Sequence, residues 1–110
     1  MNLLTETLET LAEHGKSMSD IIAICGDDFQ ITKENFMKCA DAEYDSGYGA
    51  QEVAPDLKLI GEDFWLERAE YDGSEWWEYK TIPDFEHLPE KTVERVLGGM
   101  WDSLSKLQEE

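Results

Sequence analysis

The sequence is poor in cysteine, in proline and in long apolar runs. Only two of its 110 residues are cysteine, Cys25 and Cys39, and only three are proline. Two cysteines do not form a disulfide framework, and these two are not spaced as a CxxC motif. No run approaches the roughly 18 apolar residues of a membrane span, and the first residues lack the basic and apolar regions of a signal peptide. We therefore expect a cytoplasmic protein that does not insert into membranes.

Basic residues are also scarce. Nine Lys and Arg stand against 26 Asp and Glu, which gives a formal net charge of −17. The excess is spread evenly, with 12 acids and 3 bases in residues 1–56 and 14 acids and 6 bases in residues 57–110. Such a surface repels nucleic acid and anionic membranes and attracts basic proteins. Solubility is the alternative explanation, but a small domain needs a net charge of only about 2–8 for it.

Core material is plentiful. Hydrophobic residues make up 41% of the chain, with four each of Trp, Phe and Tyr. Disordered chains are poor in aromatic residues, so the charge does not indicate disorder here. The length fits one domain with one core. We predict a single acidic domain over residues 1–110.

The first half of the chain predicts two helices with a small hairpin between them. Leucines recur at helical spacing over residues 3–14, and a glycine follows. The β-branched run at 20–25 and the alternating residues 29–31 are typical of short strands. Thr32 fits the N-cap of a second helix. The predicted inner stripe of this helix is Phe36, Cys39 and Ala40.

The second half predicts three strands and a last helix. A strand begins at Leu57, and two aromatic-rich strands at 64–71 and 74–82 are joined by Asp72-Gly73, the preferred pair for a two-residue type I′ turn. Pro89 suits the first turn of a helix that begins at residue 88. The predicted apolar stripe of that helix is Val93, Val96, Leu97, Met100, Trp101, Leu104 and Leu107. Two adjacent glycines inside it, at 98 and 99, predict a kink or a close backbone contact.

The element order is therefore α-ββ-α-βββ-α. Runs of short strands in hairpins favour an antiparallel sheet covered by helices, which is an α+β fold. We expect a small antiparallel sheet of about five strands packed with three helices.

Counting outward from the Asp72-Gly73 turn gives the register of the last hairpin. Arg68 then lies opposite Trp77, Glu67 opposite Glu78, and Glu70 opposite Glu75. The face with Phe64, Leu66, Arg68, Trp77 and Tyr79 is the predicted core side. On that side the Arg68 guanidinium can stack on the Trp77 ring.

The other face of the hairpin is a predicted contact surface. It sets Glu67 against Glu78, a like-charge pairing that costs free energy, between Trp65 and Trp76. Alternatively, nearby lysines neutralise the pair and the tryptophans pack under a helix. We predict a partner contact because buried aromatic residues anchor interfaces. Its predicted residues are Trp65, Glu67, Glu70, Glu75, Trp76 and Glu78, together with Glu43 and Asp45 of the preceding loop.

Catalytic and metal motifs are missing. The stretch Asp41–Glu52 resembles a calcium loop, but Ser46 stands where an EF-hand needs glycine, and Pro55 with a strand follows. Both cysteines fall on apolar stripes, the usual place of an inert buried thiol. We therefore predict no metal site, no cofactor and no catalytic residue, and we do not expect an enzyme.

The middle of the chain resembles a family of proteins. The runs WLER at 65–68 and EYDGSEWWEYK at 70–80, with EYDSG at 43–47, are similar to small uncharacterised acidic proteins of phages and other mobile elements of Gram-positive bacteria. The resemblance supplies no assigned site residue. It implies a role in conflict between a mobile element and its host, where DNA-mimic anti-restriction and anti-CRISPR proteins act.

Charge and resemblance together predict a binding inhibitor. It would block a basic, nucleic-acid-binding host protein, such as a CRISPR nuclease or a restriction enzyme, with carboxylates in place of phosphates. The alternative is an antitoxin-like or immunity-like interaction module without mimicry. Salt separates the two, because only mimicry predicts an affinity that falls steeply with ionic strength. The sequence leaves the oligomeric state open.

Overall fold

A computed structural model describes residues 1–47 and 50–109. Over these residues the chain forms a five-stranded antiparallel sheet in the order β2-β1-β3-β4-β5, with three α-helices. The strands are β1 Ile21–Cys25, β2 Gln30–Ile31, β3 Lys58–Gly61, β4 Phe64–Tyr71 and β5 Ser74–Thr81. The helices are α1 Leu3–Glu13, α2 Lys33–Ala40 and α3 Leu104–Leu107, and a short 3₁₀ turn at Met18–Asp20 precedes β1. The predicted α+β fold and element order are confirmed.

The helices of the first half begin at side-chain caps. The Asn2 side chain accepts a hydrogen bond from the Thr5 backbone N–H, and the Thr32 hydroxyl accepts one from the Asn35 N–H at 3.0 Å. Each cap satisfies one of the donors that a helix start leaves unpaired. The N-cap predicted at Thr32 is therefore confirmed.

The last hairpin has the predicted turn and register. Asp72 and Gly73 have φ values of 50° and 85°, and a type I′ turn needs positive φ at both central residues. Glu67 lies opposite Glu78 and Arg68 opposite Trp77. Because side chains alternate between faces, this register decides which half of the hairpin is buried.

The core lies between the helices and one face of the sheet. Leu59 and Leu66 of the sheet and Leu11 of α1 are fully buried, and Phe36 of α2 joins the same cluster. The Trp77 indole N–H donates to the Thr7 hydroxyl of α1 at 2.9 Å. Burying each large apolar side chain contributes about 1.5–3 kcal/mol. The predicted core side of the hairpin is confirmed.

The opposite face of the sheet is solvent-facing, and we call it the open face. No helix in the described part of the chain covers it, and Trp76 is 37% exposed there. The alternative in which the tryptophans pack under a helix is therefore wrong. The residues of the open face include Ala23, Cys25, Lys58, Ile60, Trp65, Glu67, Ala69, Trp76, Glu78 and Lys80.

The predicted last helix is wrong over most of its length, because only Leu104–Leu107 is helical. Residues 82–109, which we call the C-terminal segment, lie largely in the open, with Leu97 and Met100 85% and 87% exposed. Most helices of proteins are stabilised by packing an apolar face, and this stripe packs on no part of the described body. The two glycines add about 1 kcal/mol each against the helix. The close contact expected there is present, since a side chain at Gly98 would clash with Leu107.

The C-terminal segment makes the molecule elongated. The radius of gyration is 18.3 Å, whereas a compact chain of this length has about 13 Å. No helix in the described ranges is long and apolar enough to cross a membrane.

Candidate functional site

A buried ionic cluster holds the last hairpin to α1. The fully buried Arg68 side chain donates to the Glu75 carboxylate at 2.9 Å and to Glu6 of α1 at 3.3 Å. Its guanidinium carbon lies 4.7 Å from the centre of the Trp77 ring. The predicted stacking of Arg68 on Trp77 is confirmed. The sequence pattern did not indicate the role of Glu6, because this carboxylate comes from a distant helix.

Tyr44 closes the same cluster from the loop that follows α2. Its hydroxyl donates to Glu6 at 2.5 Å and accepts from Arg68 at 3.0 Å. Burial, together with the hydrogen bond to the Glu6 carboxylate, raises the pKa of Tyr44 to about 12. The phenol therefore stays neutral and works as a connector between α1, the loop and the sheet.

The prediction of Glu75 as a partner contact is wrong. Only 4% of this residue is exposed, because the register places it on the core side with Trp77. Burial alone would raise the pKa of Glu75, but backbone N–H groups of Glu52 and Val53 and the Arg68 guanidinium outweigh it, so the pKa is lowered. Strict alternation along β5 was the signal that would have placed Glu75 inside.

Exposed carboxylates gather around the start of β5. The Ser46 carbonyl accepts a hydrogen bond from the Glu75 N–H at 2.9 Å, so the loop lies along the outer side of this strand. We call the exposed carboxylates here the acidic edge: Asp45, Glu52, Glu70 and Asp72. The Glu52 carboxylate accepts from the Asp45 N–H at 2.6 Å, which ties the two ends of the loop together. The structure thus brings the predicted residues Asp45 and Glu70 to one end of the sheet.

Glu43, another predicted contact residue, lies beside the chain terminus. It is exposed, and its carboxylate is 3.1 Å from the N-terminal ammonium group. Part of its charge is therefore compensated.

The open face carries the remaining predicted contacts, Trp65, Glu67, Trp76 and Glu78. Lys80 lies 3.0 Å from the Glu78 carboxylate, which raises the pKa of Lys80. The Trp65 indole N–H donates to the Glu67 carboxylate at 2.7 Å. Lys58 of β3 lies opposite Glu67. An ion pair with Lys80 thus compensates Glu78, and Lys58 lies on the strand beside Glu67, as the alternative interpretation of the sequence expected. Two carboxylates and two ammonium groups leave the open face without net charge.

Two depressions border these surfaces. A shallow groove of about 330 Å³ on the open face is lined by Lys58, Ile60, Trp65 and Glu67. An apolar pocket of about 290 Å³ lies between α2 and the following loop, with Phe36 and Cys39 in its wall. Cys39 is exposed and Cys25 half-buried, so the prediction that both thiols are buried is wrong.

In the described ranges 1–47 and 50–109, no three His, Cys, Asp or Glu side chains lie close enough together to bind a metal ion. Two residues of the calcium-like stretch 41–52, Tyr48 and Gly49, lie outside the described residues. Asp45 accepts from the Gly47 N–H at 3.0 Å, so its carboxylate takes part in loop hydrogen bonding.

In comparisons with known proteins, no family model, curated protein or solved structure matches this chain.

Proposed function

We propose that this chain is a cytoplasmic binding inhibitor encoded by a mobile element. It occupies the nucleic-acid groove of a basic host protein, such as a CRISPR nuclease or a restriction enzyme. The observation that supports this proposal is the separation of charges. Lys16, Arg68 and Lys80 are held in ion pairs away from the acidic edge, whereas the carboxylates of the acidic edge face solvent and belong to no salt bridge of the described residues.

The few bases illustrate this separation. The Arg68 side chain is fully buried between two carboxylates, Lys80 is paired with Glu78, and Lys16 lies 3.9 Å from Asp63. None of the four carboxylates of the acidic edge belongs to a salt bridge in the described part of the chain. The acidic edge therefore contributes negative charge that no salt bridge compensates to the field of the −17 chain.

Mimicry needs charges that are fixed as well as exposed. Two hydrogen bonds hold the acidic edge to the sheet. One joins the Ser46 carbonyl to the Glu75 N–H, and the other joins the Glu52 carboxylate to the Asp45 N–H. A fixed set of carboxylates can replace phosphates in a groove lined by Lys and Arg. The counterions released from both surfaces then contribute to affinity. This action requires no catalytic group.

Competition for nucleic acid tests the proposal. Purified Cas9-type nucleases and restriction endonucleases are titrated with the chain, and binding of their DNA targets is measured between about 50 and 200 mM NaCl. We expect displacement of DNA from at least one enzyme, with an affinity that falls steeply as salt rises. Inhibition that leaves DNA bound, or that does not change with salt, contradicts mimicry.

Matched charge variants locate the contact. Glu70→Lys with Asp45→Asn should weaken inhibition at least about 100-fold, since like charges facing each other at an interface cost several kcal/mol. The control, Glu9→Lys with Glu13→Gln, makes the same change of charge on the exposed side of α1. Equal losses from both double variants would show that net charge matters and the acidic edge does not.

A second candidate function is an interaction module without mimicry, of the antitoxin-like or immunity-like kind. The exposed apolar side chains of the C-terminal segment favour it, because large exposed apolar patches mark protein contacts. In that case binding would be insensitive to salt and lost in Leu97→Asp.

A further inference from the structure

Two surfaces of this acidic chain carry no net charge. The open face holds two carboxylates and two lysines. Residues 88–107 of the C-terminal segment hold three acids, Glu90, Glu94 and Asp102, and three bases, Lys91, Arg95 and Lys106. The remaining 21 acids and 4 bases account for the whole charge of −17. These two surfaces can therefore approach each other without the repulsion that the net charge of the rest of the chain causes between two copies.

Both surfaces also carry apolar side chains that reach solvent. Val93, Leu97, Met100, Leu104 and Leu107 alternate at spacings of four and three residues, which would place them on one side of a helix. Met100 and Trp101 are 87% and 84% exposed in the present conformation. Alternating three- and four-residue spacing of apolar side chains is how an amphipathic helix engages a groove.

The open face is long enough to bind such a helix. Its apolar centre is Ile60, Trp65 and Trp76, flanked by the stems of Lys58 and Lys80. Strands β4 and β5 have eight residues each and are therefore about 27 Å long. A helix over residues 88–107 would span about 30 Å.

The segment leads away from its own sheet. Pro83 follows the end of β5, and Ile82 and Phe85 of the connection are 67% and 62% exposed. The large radius of gyration shows that the segment does not fold back over the body. A second copy meets it with the same open face, so two identical contacts can form about one twofold axis.

We propose that residues 88–107 of one copy fold as an amphipathic helix on the open face of a second copy, and reciprocally, in a symmetric dimer. Charge balance selects this occupant. A basic partner gains no attraction from either neutral surface and binds more favourably elsewhere. The acidic edge stays outside the contact, so the dimer does not depend on the proposed inhibition.

Folding and association are coupled in this dimer. The glycines at 98 and 99 keep the helix unstable in a single copy, and the exposed members of the apolar stripe, such as Leu97 and Met100, become buried only against the partner's sheet. Helix content should therefore rise with protein concentration. Salt should tighten the dimer, since it screens repulsion between two chains of −17.

Sedimentation and circular dichroism of the full chain test this. From micromolar to millimolar concentration we expect a monomer–dimer equilibrium with a parallel gain of helix signal. Leu97→Asp with Met100→Asp should leave only monomer, and both side chains are exposed enough for the body to keep its fold. Phe29→Asp, a control at a side chain that is 72% exposed on neither surface, should dimerise normally. A monomer at every concentration overturns the proposal.

Complementation identifies which surfaces meet. Trp76→Asp damages the open face but keeps the segment, whereas the Leu97→Asp, Met100→Asp variant damages the segment but keeps the face. Each variant alone should be monomeric, and an equimolar mixture should form a heterodimer through one intact contact. If Trp76→Asp alone still dimerises as the unaltered chain does, segments pair with segments and the proposal is wrong.

Glycine replacement sharpens the test. Gly98→Ala with Gly99→Ala favours the helix, and a side chain at 98 also disfavours the folded-back conformation in which Leu107 contacts that residue. We expect the dimer dissociation constant to fall at least about 5-fold, the ratio that corresponds to one glycine-to-alanine exchange in a helix. An unchanged or larger constant contradicts a helix at this position.

Discussion

Trp77 and Trp101 both belong to apolar stripes in the sequence, but only Trp77 is buried in the structure. Trp77 is 5% exposed and donates its indole N–H to Thr7, whereas Trp101 is 84% exposed. The strand pattern around Trp77 meets α1, which presents a complementary apolar side. The stripe around Trp101 meets nothing in its own body. An apolar pattern thus predicts that a face packs against another element, but it does not show which element that is.

The same contrast holds for two arginines. Arg68 lies between Glu6 and Glu75 and against two aromatic rings, so its charge is paired inside the fold. Arg95 in the C-terminal segment donates to the Leu107 carbonyl of the same segment. The body is built from contacts between distant parts of the chain, and the segment only from near ones.

Truncation of the two tryptophans should show the largest difference. Trp77→Ala should lower the free energy of unfolding by about 3–5 kcal/mol, because it leaves a cavity in the core and removes the hydrogen bond to the Thr7 hydroxyl. Trp101→Ala at low concentration should change it by less than about 0.5 kcal/mol, as exposed substitutions do. Urea unfolding followed by circular dichroism measures both. Similar losses would mean that the segment is part of the core.

Two glutamates on opposite faces of β5 give the next comparison. Glu75→Gln should cost about 1.5–3 kcal/mol, the range for hydrogen bonds to a charged group, since it weakens the bonds to Arg68 and to the loop backbone. Glu78→Gln on the open face should cost much less, because its ion pair with Lys80 is solvent-exposed. Equal effects in urea unfolding would contradict the buried position of Glu75.

Acid dependence follows from the same pair. The pKa of Glu75 is lowered in the fold, so its contribution is present above the usual value near 4.5 and is lost as pH falls below it. The unaltered chain should therefore lose more stability than Glu75→Gln between neutral pH and acid. Parallel pH profiles of the two proteins in urea unfolding would show that Glu75 does not carry this stabilisation.

Tyr44 predicts a smaller effect at high pH. Its pKa is raised to about 12, so its contribution is present below the usual value of 10 and is lost as pH rises from 10 to 12. Tyr44→Phe should cost about 1 kcal/mol at neutral pH and should remove this part of the alkaline loss. Spectrophotometric titrations of the unaltered chain and of Tyr44→Phe isolate the Tyr44 phenol by difference, and a phenol that ionises near its usual value in that difference would contradict the cluster geometry.

Salt should have the smallest effect. Screening relieves repulsion among exposed carboxylates, so moderate NaCl should raise the melting temperature of the body by a few degrees. Calorimetry of the Leu97→Asp, Met100→Asp variant measures this without any contribution from association. A melting temperature that falls with salt would show that the carboxylates are compensated locally.

Local rules were sufficient for much of the body. The Asp72-Gly73 turn, the Thr32 cap and the alternation of β4 and β5 depend on neighbouring residues, so the hairpin, its register and its core side followed from the sequence. The same register count places Glu75 on the core side, but Glu75 was assigned to the partner contact because acidic residues were preferred there. For the candidate site, the predicted contact residues include Asp45 and Glu70 but not Glu52, which the loop brings to the acidic edge, or Asp72 of the hairpin turn.

By itself the sequence determined the acidic character of the chain, its α+β class and the order of its elements, because composition, periodicity and turn chemistry act over a few residues. Only the tertiary structure decided which charges stay exposed and that Arg68 pairs with Glu6. It also decided that the apolar stripe after residue 88 packs against no element of the body. These depend on contacts between residues far apart in the chain, since a side chain is buried or paired only when a distant element meets it. The physical reason is that packing, rather than propensity, stabilises most helices, and that a buried charge needs an opposite charge and hydrogen bonds to offset its desolvation.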